Sequence, residues 1–144
     1  MSDANNISSV FDKEWDKIVI KPAVSAGAYL TEVFDISQKT AIEEKVQTGD
    51  WLVQPFIENI KSDGEVSLVF FNGKYQYSIL KMPKLDDFRV QRQFGGSETL
   101  YYPDQKLIDI AQNILSKIVE LPLFARIDGV WQNDDFSLIE IEMI

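Results

Sequence analysis

The sequence contains neither cysteine nor histidine. Without cysteine there are no disulfides and no thiol chemistry, a composition that fits a reducing compartment. Without histidine there is no imidazole base, no Ser-His pair and no ordinary zinc site. Any chemistry must rest on carboxylates, lysine, arginine, backbone amides and a hard metal. Positive charge is also scarce: 14 Lys and Arg stand against 23 Asp and Glu, for a net charge of −9. That balance argues against general binding to nucleic acid or to an anionic membrane. No apolar run approaches the roughly 20 residues that span a bilayer. The opening Met1-Ser2-Asp3-Ala4-Asn5-Asn6 lacks the apolar stretch of a signal peptide. The expectation is a cytoplasmic protein with no nucleic-acid and no membrane partner.

What is present suffices for one domain with a real core: 144 residues, 45% of them hydrophobic. Residues 1–16 are mixed in character and are expected to form a poorly ordered or partial N-terminal segment, with the folded domain at 17–144. Ile18-Val19-Ile20 reads as a buried strand that Lys21-Pro22 ends, because proline cannot donate to a ladder and pushes its predecessor to extended geometry. Small residues follow: Ala23, Ser25, Ala26, Gly27 and Ala28. A strand is expected over 29–34, a helix capped by Ser37 to about residue 48 with Gly49 at its C′ position, and a strand over 51–56. Asn72-Gly73 between two apolar runs predicts a tight hairpin. A regular register from that turn opposes Phe70 to Tyr75, Leu68 to Tyr77 and Val66 to Ile79, leaving Glu65, Ser67 and Ser78 on the other face. A further strand is expected over 88–93, broken by Gly95-Gly96. Pro103-Asp104 opens the best helix, with Leu107, Ile108, Ala111, Ile114, Leu115 and Ile118 on one stripe and Pro122 beyond its end. Strands outnumber helices and adjoin in sequence, so the fold class is α+β with a mostly antiparallel sheet.

The C-terminal strand, Phe136-Ser137-Leu138-Ile139-Glu140-Ile141-Glu142-Met143, puts Ile139, Ile141 and Met143 on one face and Glu140 and Glu142 on the other, about 7 Å apart. The preceding run sends Ala125 and Ile127 one way, Arg126 and Asp128 the other. Folded as a hairpin through Gln132-Asn133-Asp134-Asp135, the two strands gather Asp128, Glu140 and Glu142 beside Arg126. Carboxylates that close repel one another unless a cation sits among them, and hard oxygens suit Mg²⁺. An acidic strand face can also be a solvated surface, and Arg126 can be a structural ion-pair partner or a substrate contact. Lys21, before a small-residue turn that could let backbone amides approach phosphate, can equally be a surface lysine. Glu65, Lys81 and Arg89 taken singly read as ordinary solvated charges.

Their order along the chain changes that reading. Lys21-Pro22 with its small-residue loop comes first, then Leu52-Val53-Gln54-Pro55-Phe56-Ile57-Glu58 and Asp63-Gly64-Glu65. Asn72-Gly73, Leu80-Lys81-Met82-Pro83 and Asp87-Phe88-Arg89-Val90-Gln91 follow, then Phe94-Gly95-Gly96, Arg126-Ile127-Asp128 and Glu140-Ile141-Glu142. This series resembles the ATP-grasp superfamily, nearest to the branch holding prokaryotic glutathione synthetase and the ligase-like cycloserine-biosynthesis protein, over residues 17–144.

The resemblance implies an ATP-grasp core: mostly antiparallel sheets with packed helices, in two small lobes around a nucleotide cleft. It implies an ATP- and Mg²⁺-dependent ligase that joins a small-molecule carboxylate to an amine through an acyl-phosphate. Lys21 would contact the phosphates, Ser25, Ala26 and Gly27 would cover them, Gln54, Pro55, Phe56 and Ile57 would line the adenine pocket, and Glu65 would accept the ribose hydroxyls. Lys81 and Arg89 would face the transferred phosphoryl group. Asp128, Glu140 and Glu142 would hold Mg²⁺, and Arg126 would stabilise the acyl-phosphate or its tetrahedral successor. Such a site needs positioning and charge neutralisation rather than a nucleophilic side chain, so the missing histidine is no obstacle. Relatives carry about one further domain ahead of the Lys-Pro strand, where only about 17 residues stand here. The sequence is therefore expected to lack the N-terminal substrate region and to be an incomplete catalyst by itself, with exposed apolar surface favouring homo-oligomers. The alternatives are a non-catalytic nucleotide-binding or protein-interaction module on the same fold, and a structural domain whose acidic face aids solubility.

Overall fold

Two apolar cores form, each behind its own antiparallel sheet. The computed structural model of the chain describes residues 7–24, 28–85 and 87–144, and the chain divides into two units, Met1–Phe56 and Ile57–Ile144. The Ser25, Ala26 and Gly27 assignments lie outside the described residues.

In the first unit, α1 (Ser8–Phe11), β1 (Lys17–Pro22), β2 (Glu32–Asp35), α2 (Lys39–Val46) and β3 (Trp51–Pro55) follow in order. The sheet runs β2-β1-β3, antiparallel throughout. Period-two alternation turns Ile18 and Ile20 to one face, where they bury with Ile42 of α2. Ile7, Val10, Phe11 and Trp15 pack on that cluster, so part of the segment expected to be poorly ordered belongs to the core. β2 begins at Glu32 rather than at 29, because Ala28 and Leu30 take positive φ (59° and 53°), which no strand accommodates. Ser37 does not cap α2. Its backbone N–H and its hydroxyl both donate to Asp35 Oδ1, a local turn that holds the Asp35 carboxyl below its usual pKa, and the helix starts at Lys39. Gly49 is not among the glycines with positive φ.

The second unit holds α3 (Ile60–Asp63), β4 (Glu65–Phe71), β5 (Lys74–Met82), β6 (Ser97–Tyr101), α4 (Gln105–Leu115), β7 (Phe124–Gln132) and β8 (Asp135–Met143). Its sheet runs β6-β5-β4-β7-β8, again antiparallel. The expected helix is α4. Asp104 caps it by accepting from the Leu107 N–H at 2.9 Å. Leu107, Ala111 and Leu115 bury against Val66, Leu68 and Phe70 of β4 and Ala125 and Ile127 of β7. Each fully buried leucine there contributes roughly 1.5–3 kcal/mol. No strand forms over 88–93. The Asp87 carboxylate takes the backbone N–H groups of Phe88 and Arg89, and a single 3₁₀ turn spans Arg92–Phe94. Gly95 then takes φ 87° and turns the chain into β6, a strand not foreseen from sequence. Both hairpin turns use positive φ twice, at Asn72 and Gly73 and at Asn133 and Asp134. Among the described residues no helix is long and apolar enough to cross a membrane.

Candidate active site

Six candidate residues of the second unit come to one face through two irregularities in the sheet. The first lies opposite Val69/Phe70, where Gln76 is an extra residue in β5. Phe70 faces Tyr75 as expected, but beyond it Val69 pairs with Tyr77, Leu68 with Ser78, Val66 with Leu80 and Glu65 with Lys81. The expected Leu68–Tyr77 and Val66–Ile79 pairs do not form. Ser78 moves to the helix-covered face, where its hydroxyl meets the Tyr75 hydroxyl at 3.0 Å, and Lys81 moves onto Glu65. The second irregularity adds Ile139 to β8 between the Gly129–Leu138 and Asp128–Glu140 pairs. A single extra residue reverses which way the following side chains point, and such bulges re-aim side chains near functional sites. Arg126 pairs with Glu142, and Asp128 also lies opposite Ser67 of β4. Glu65, Ser67, Lys81, Arg126, Asp128, Glu140 and Glu142 therefore share the sheet face opposite α4.

Charge on this face is tightly paired. Asp128 is only 2% exposed. Both of its oxygens accept from Arg126 Nε at 2.9 Å, and Oδ2 accepts from Nη2 at 2.8 Å. The third guanidinium nitrogen, Nη1, reaches Glu142 Oε2 at 2.6 Å. Lys81 Nζ donates to Glu65 Oε1 at 2.8 Å and stands 3.6 Å from Asp128 Oδ2. Burial pushes the Glu65 carboxyl up, Lys81 pulls it back, and the neighbouring Asp128 adds to the rise. Burial works against the Arg126 charge, but the hydrogen bonds and charge of Asp128, then Glu142, hold its pKa above the usual value. Glu140 is exposed, opposite Asp128.

The donor set suits a hard divalent ion: three carboxylates on one face, one of them buried and requiring a cation. Among the described residues, however, no three acidic side chains converge on one point. Asp128 and Glu142 both turn to the Arg126 guanidinium. The residues fit Mg²⁺ in kind, and the guanidinium supplies the positive charge in this arrangement.

Arg89 stands apart from that network. Asp87 Oδ1 accepts from the Phe88 and Arg89 N–H groups and from Arg89 Nε, while Oδ2 accepts from Nη2 at 2.9 Å. The guanidinium lies 3.9 Å from the Phe94 ring centre. These bonds bring the Asp87 carboxyl down to about 2 and raise the Arg89 pKa. Sequence reading missed Asp87 and Phe94 as its holders. The signal was available, since Asp87-Phe88-Arg89 repeats in reverse the two-residue spacing of Arg126-Ile127-Asp128. It missed Ser67 too, whose hydroxyl oxygen is buried without a hydrogen-bond partner.

The remaining assigned residues fall in or next to the first unit. Lys21 pairs with Leu52 and Gln54 with Val19, so Lys21 and Gln54 share the sheet face turned away from Ile18 and Ile20. Pro55 pairs with Ile18, the Phe56 N–H donates to the Lys17 carbonyl at 2.9 Å, and Ile57 begins the second unit.

Solved structures share this fold. D-cycloserine synthetase DcsG superposes with a TM-score of 0.76 at 19% identity, covering 97% of this chain and 51% of that one. The ATP-grasp ligase PsnB, solved with a phosphomimetic variant of its minimal precursor, Mg and ADP, gives 0.66 at 16%, covering 99% of this chain and 42% of that one. A D-alanine–D-alanine ligase from Bacillus anthracis complexed with ATP gives 0.63 at 15%, covering 88% and 41%. The chain thus spans about half the length of these proteins or less. Among curated proteins, none matches it significantly. The family model for the prokaryotic glutathione synthetase ATP-grasp domain matches residues 1–141. With the fold and the family match in agreement over nearly its whole length, the chain belongs to the ATP-grasp domain family of prokaryotic glutathione synthetases.

Proposed function

We propose that this chain is the ATP- and Mg²⁺-binding domain of a carboxylate–amine ligase that works through an acyl-phosphate. The observation that carries the reading is the shared face of the second sheet, where two bulges bring Glu65, Lys81, Arg126, Asp128, Glu140 and Glu142 together in a member of this family. A carboxylate oxygen of one substrate attacks the γ-phosphorus of ATP and ADP leaves. The amine of the second substrate then attacks the acyl carbon, the C–O bond to phosphate breaks, the departing phosphate takes up the proton that the nitrogen loses, and an amide remains. Glu65 accepts the ribose hydroxyls, and Gln54, Pro55, Phe56 and Ile57 bound the adenine. Lys21, Lys81 and Arg89 hold phosphate oxygens, Arg89 being fixed in advance by Asp87 and Phe94, so that little ordering remains when the phosphoryl group arrives. Arg126 offsets the negative charge on the oxygen of the activated carboxyl group. Bound by Asp128, Glu140 and Glu142, Mg²⁺ would supply neutralisation of the phosphate oxygens.

Calorimetric titration of Mg-ADP into the wild type and Glu140→Ala tests this. Binding by the wild type, weakened in the variant, is the expected result. Equal heats from both, or heat from neither, would remove the nucleotide site from this face. A second reading, a nucleotide-binding module without ligation, is favoured by the Arg126 guanidinium, which is bonded to Asp128 and Glu142 where ligation would need it for substrate. ADP release that requires both a carboxylate and an amine substrate would decide against that module.

A further inference from the structure

We propose that Arg126 is the built-in counter-ion of the carboxylate cluster, and that a divalent ion entering the cluster displaces it and frees its guanidinium for the reacting carboxylate. The inference rests on the reading of Asp128, Glu140 and Glu142 as metal ligands. Its starting point is how completely the guanidinium is used. Three of its nitrogens bond two carboxylates: Nε and Nη2 engage both oxygens of Asp128, and Nη1 engages Glu142. The strand geometry makes this reach automatic. Arg126 stands two residues from Asp128 on one strand and directly opposite Glu142 on the next. A metal ion would need those same oxygens, so ion and guanidinium compete for them.

Asp128 cannot wait for a metal in an uncharged surround, since it is 2% exposed and Lys81 stands 3.6 Å away with a shorter bond to Glu65. Without Arg126 the metal-free cluster would hold a poorly compensated buried charge. The Ser67 hydroxyl, buried and without a partner directly across from Asp128, is the group placed to donate to a carboxylate oxygen once the guanidinium leaves. Arg126 thus takes two positions in sequence. It neutralises the carboxylates before a divalent ion enters, and it turns to substrate only afterwards. Metal affinity is lowered by the work of expelling it.

The test is Mg²⁺ titration by calorimetry, without nucleotide, of the wild type, Arg126→Met, Glu140→Gln and Lys117→Met. Lys117 is an exposed lysine after α4, so its variant carries the same change in net charge away from the cluster. Arg126→Met should bind Mg²⁺ about tenfold tighter or more, the range lost with a hydrogen bond to a charged group. Lys117→Met should match the wild type. If Arg126→Met binds no tighter while Glu140→Gln loses binding, the counter-ion role is overturned and the ligand assignment stands. If no protein binds Mg²⁺, or Glu140→Gln binds as well as the wild type, both fall. Should Arg126→Met fail to fold, nitrogen-15 spectra of the wild type decide. The Arg126 Nε–H signal should shift and exchange faster with water on adding Mg²⁺; an unmoved signal under saturating ion overturns the proposal.

Discussion

Replacing Lys81 with methionine should destabilise the protein by about 3–5 kcal/mol at pH 7, the usual cost of stranding a buried charge. Lys81 Nζ is 2.8 Å from Glu65 and 3.6 Å from Asp128, whose side chains are 8% and 2% exposed. At an effective dielectric constant near 20 these separations correspond to attractions of about 6 and about 5 kcal/mol. Desolvation of the three charges, several kcal/mol each, offsets most of that. The pairing itself therefore contributes little net stability, while removal of the cation strands the buried Glu65 carboxylate; Asp128 loses only its longer contact and keeps its bonds to Arg126. The pH dependence follows from Glu65. Burial already holds its pKa above the ordinary 4.5, and Lys81 is the main influence drawing it back. In Lys81→Met the folded protein keeps a proton that the unfolded chain releases. The stability deficit should be complete above the folded pKa and should shrink as pH falls through it towards 4.5. Urea denaturation followed by circular dichroism between pH 4.5 and 8 measures this, and adding Glu65→Gln should recover much of the loss. A Lys81→Met protein within about 1 kcal/mol of the wild type at pH 7, with no pH trend, would refute the reasoning.

Asp87→Asn should cost on the order of 1 kcal/mol at pH 7, allowing for solvent screening of the Asp87–Arg89 pair. Because the Asp87 carboxyl sits at about 2 rather than 3.8, its contribution is present above 3.8 and is lost as pH falls through 2; the gap between wild-type and variant urea midpoints should therefore narrow steadily from about pH 4 towards pH 2. Gly129→Ala should destabilise by about 1–3 kcal/mol through overpacking. A Cβ there would stand 2.6 Å from the Ser137 carbonyl oxygen and against the Phe136 ring, and thermal unfolding monitored by circular dichroism would measure the loss.

The elements legible in the sequence are those whose signals are local. Asn72-Gly73 located the central hairpin, Asp104 and the Leu107-Ala111-Leu115 stripe located α4, and the alternation of Glu140 and Glu142 with apolar residues located β8. The register was not legible, because the bulges at Gln76 and Ile139 leave no mark in a pattern of period two. A regular ladder from Phe70–Tyr75 opposes Glu65 to Leu80, and only the extra residue brings Lys81 to it. The strand expected over 88–93 failed for a different reason. Val90 is buried as an inward strand residue would be, but the Asp87 side chain had already captured the backbone donors that a ladder needs. β6 was passed over because Ser97-Glu98-Thr99-Leu100 carries little apolar alternation, and its place beside β5 comes from the Gly95 turn rather than from its own residues. Among the site residues, face membership could be read strand by strand in β7 and β8 but not for Lys81, whose face the bulge at Gln76 reverses. The pairings of Lys81 with Glu65 and of Arg89 with Asp87 depend on side-chain reach and needed the fold.

The position of β8 at the margin of the five-stranded sheet has a consequence for handling the protein. A nine-residue outermost strand offers a row of backbone donors and acceptors to any other chain, and nature blunts such margins with charge. Glu140 and Glu142 supply it, so the acids that suit a metal also discourage strands of separate molecules from joining. Neutralising both together would convert Leu138-Ile139-Glu140-Ile141-Glu142-Met143 into an almost uncharged β-forming stretch and invite fibrillar stacking. Variants that remove these glutamates are therefore best made one at a time and kept dilute, lest precipitation be mistaken for loss of a ligand.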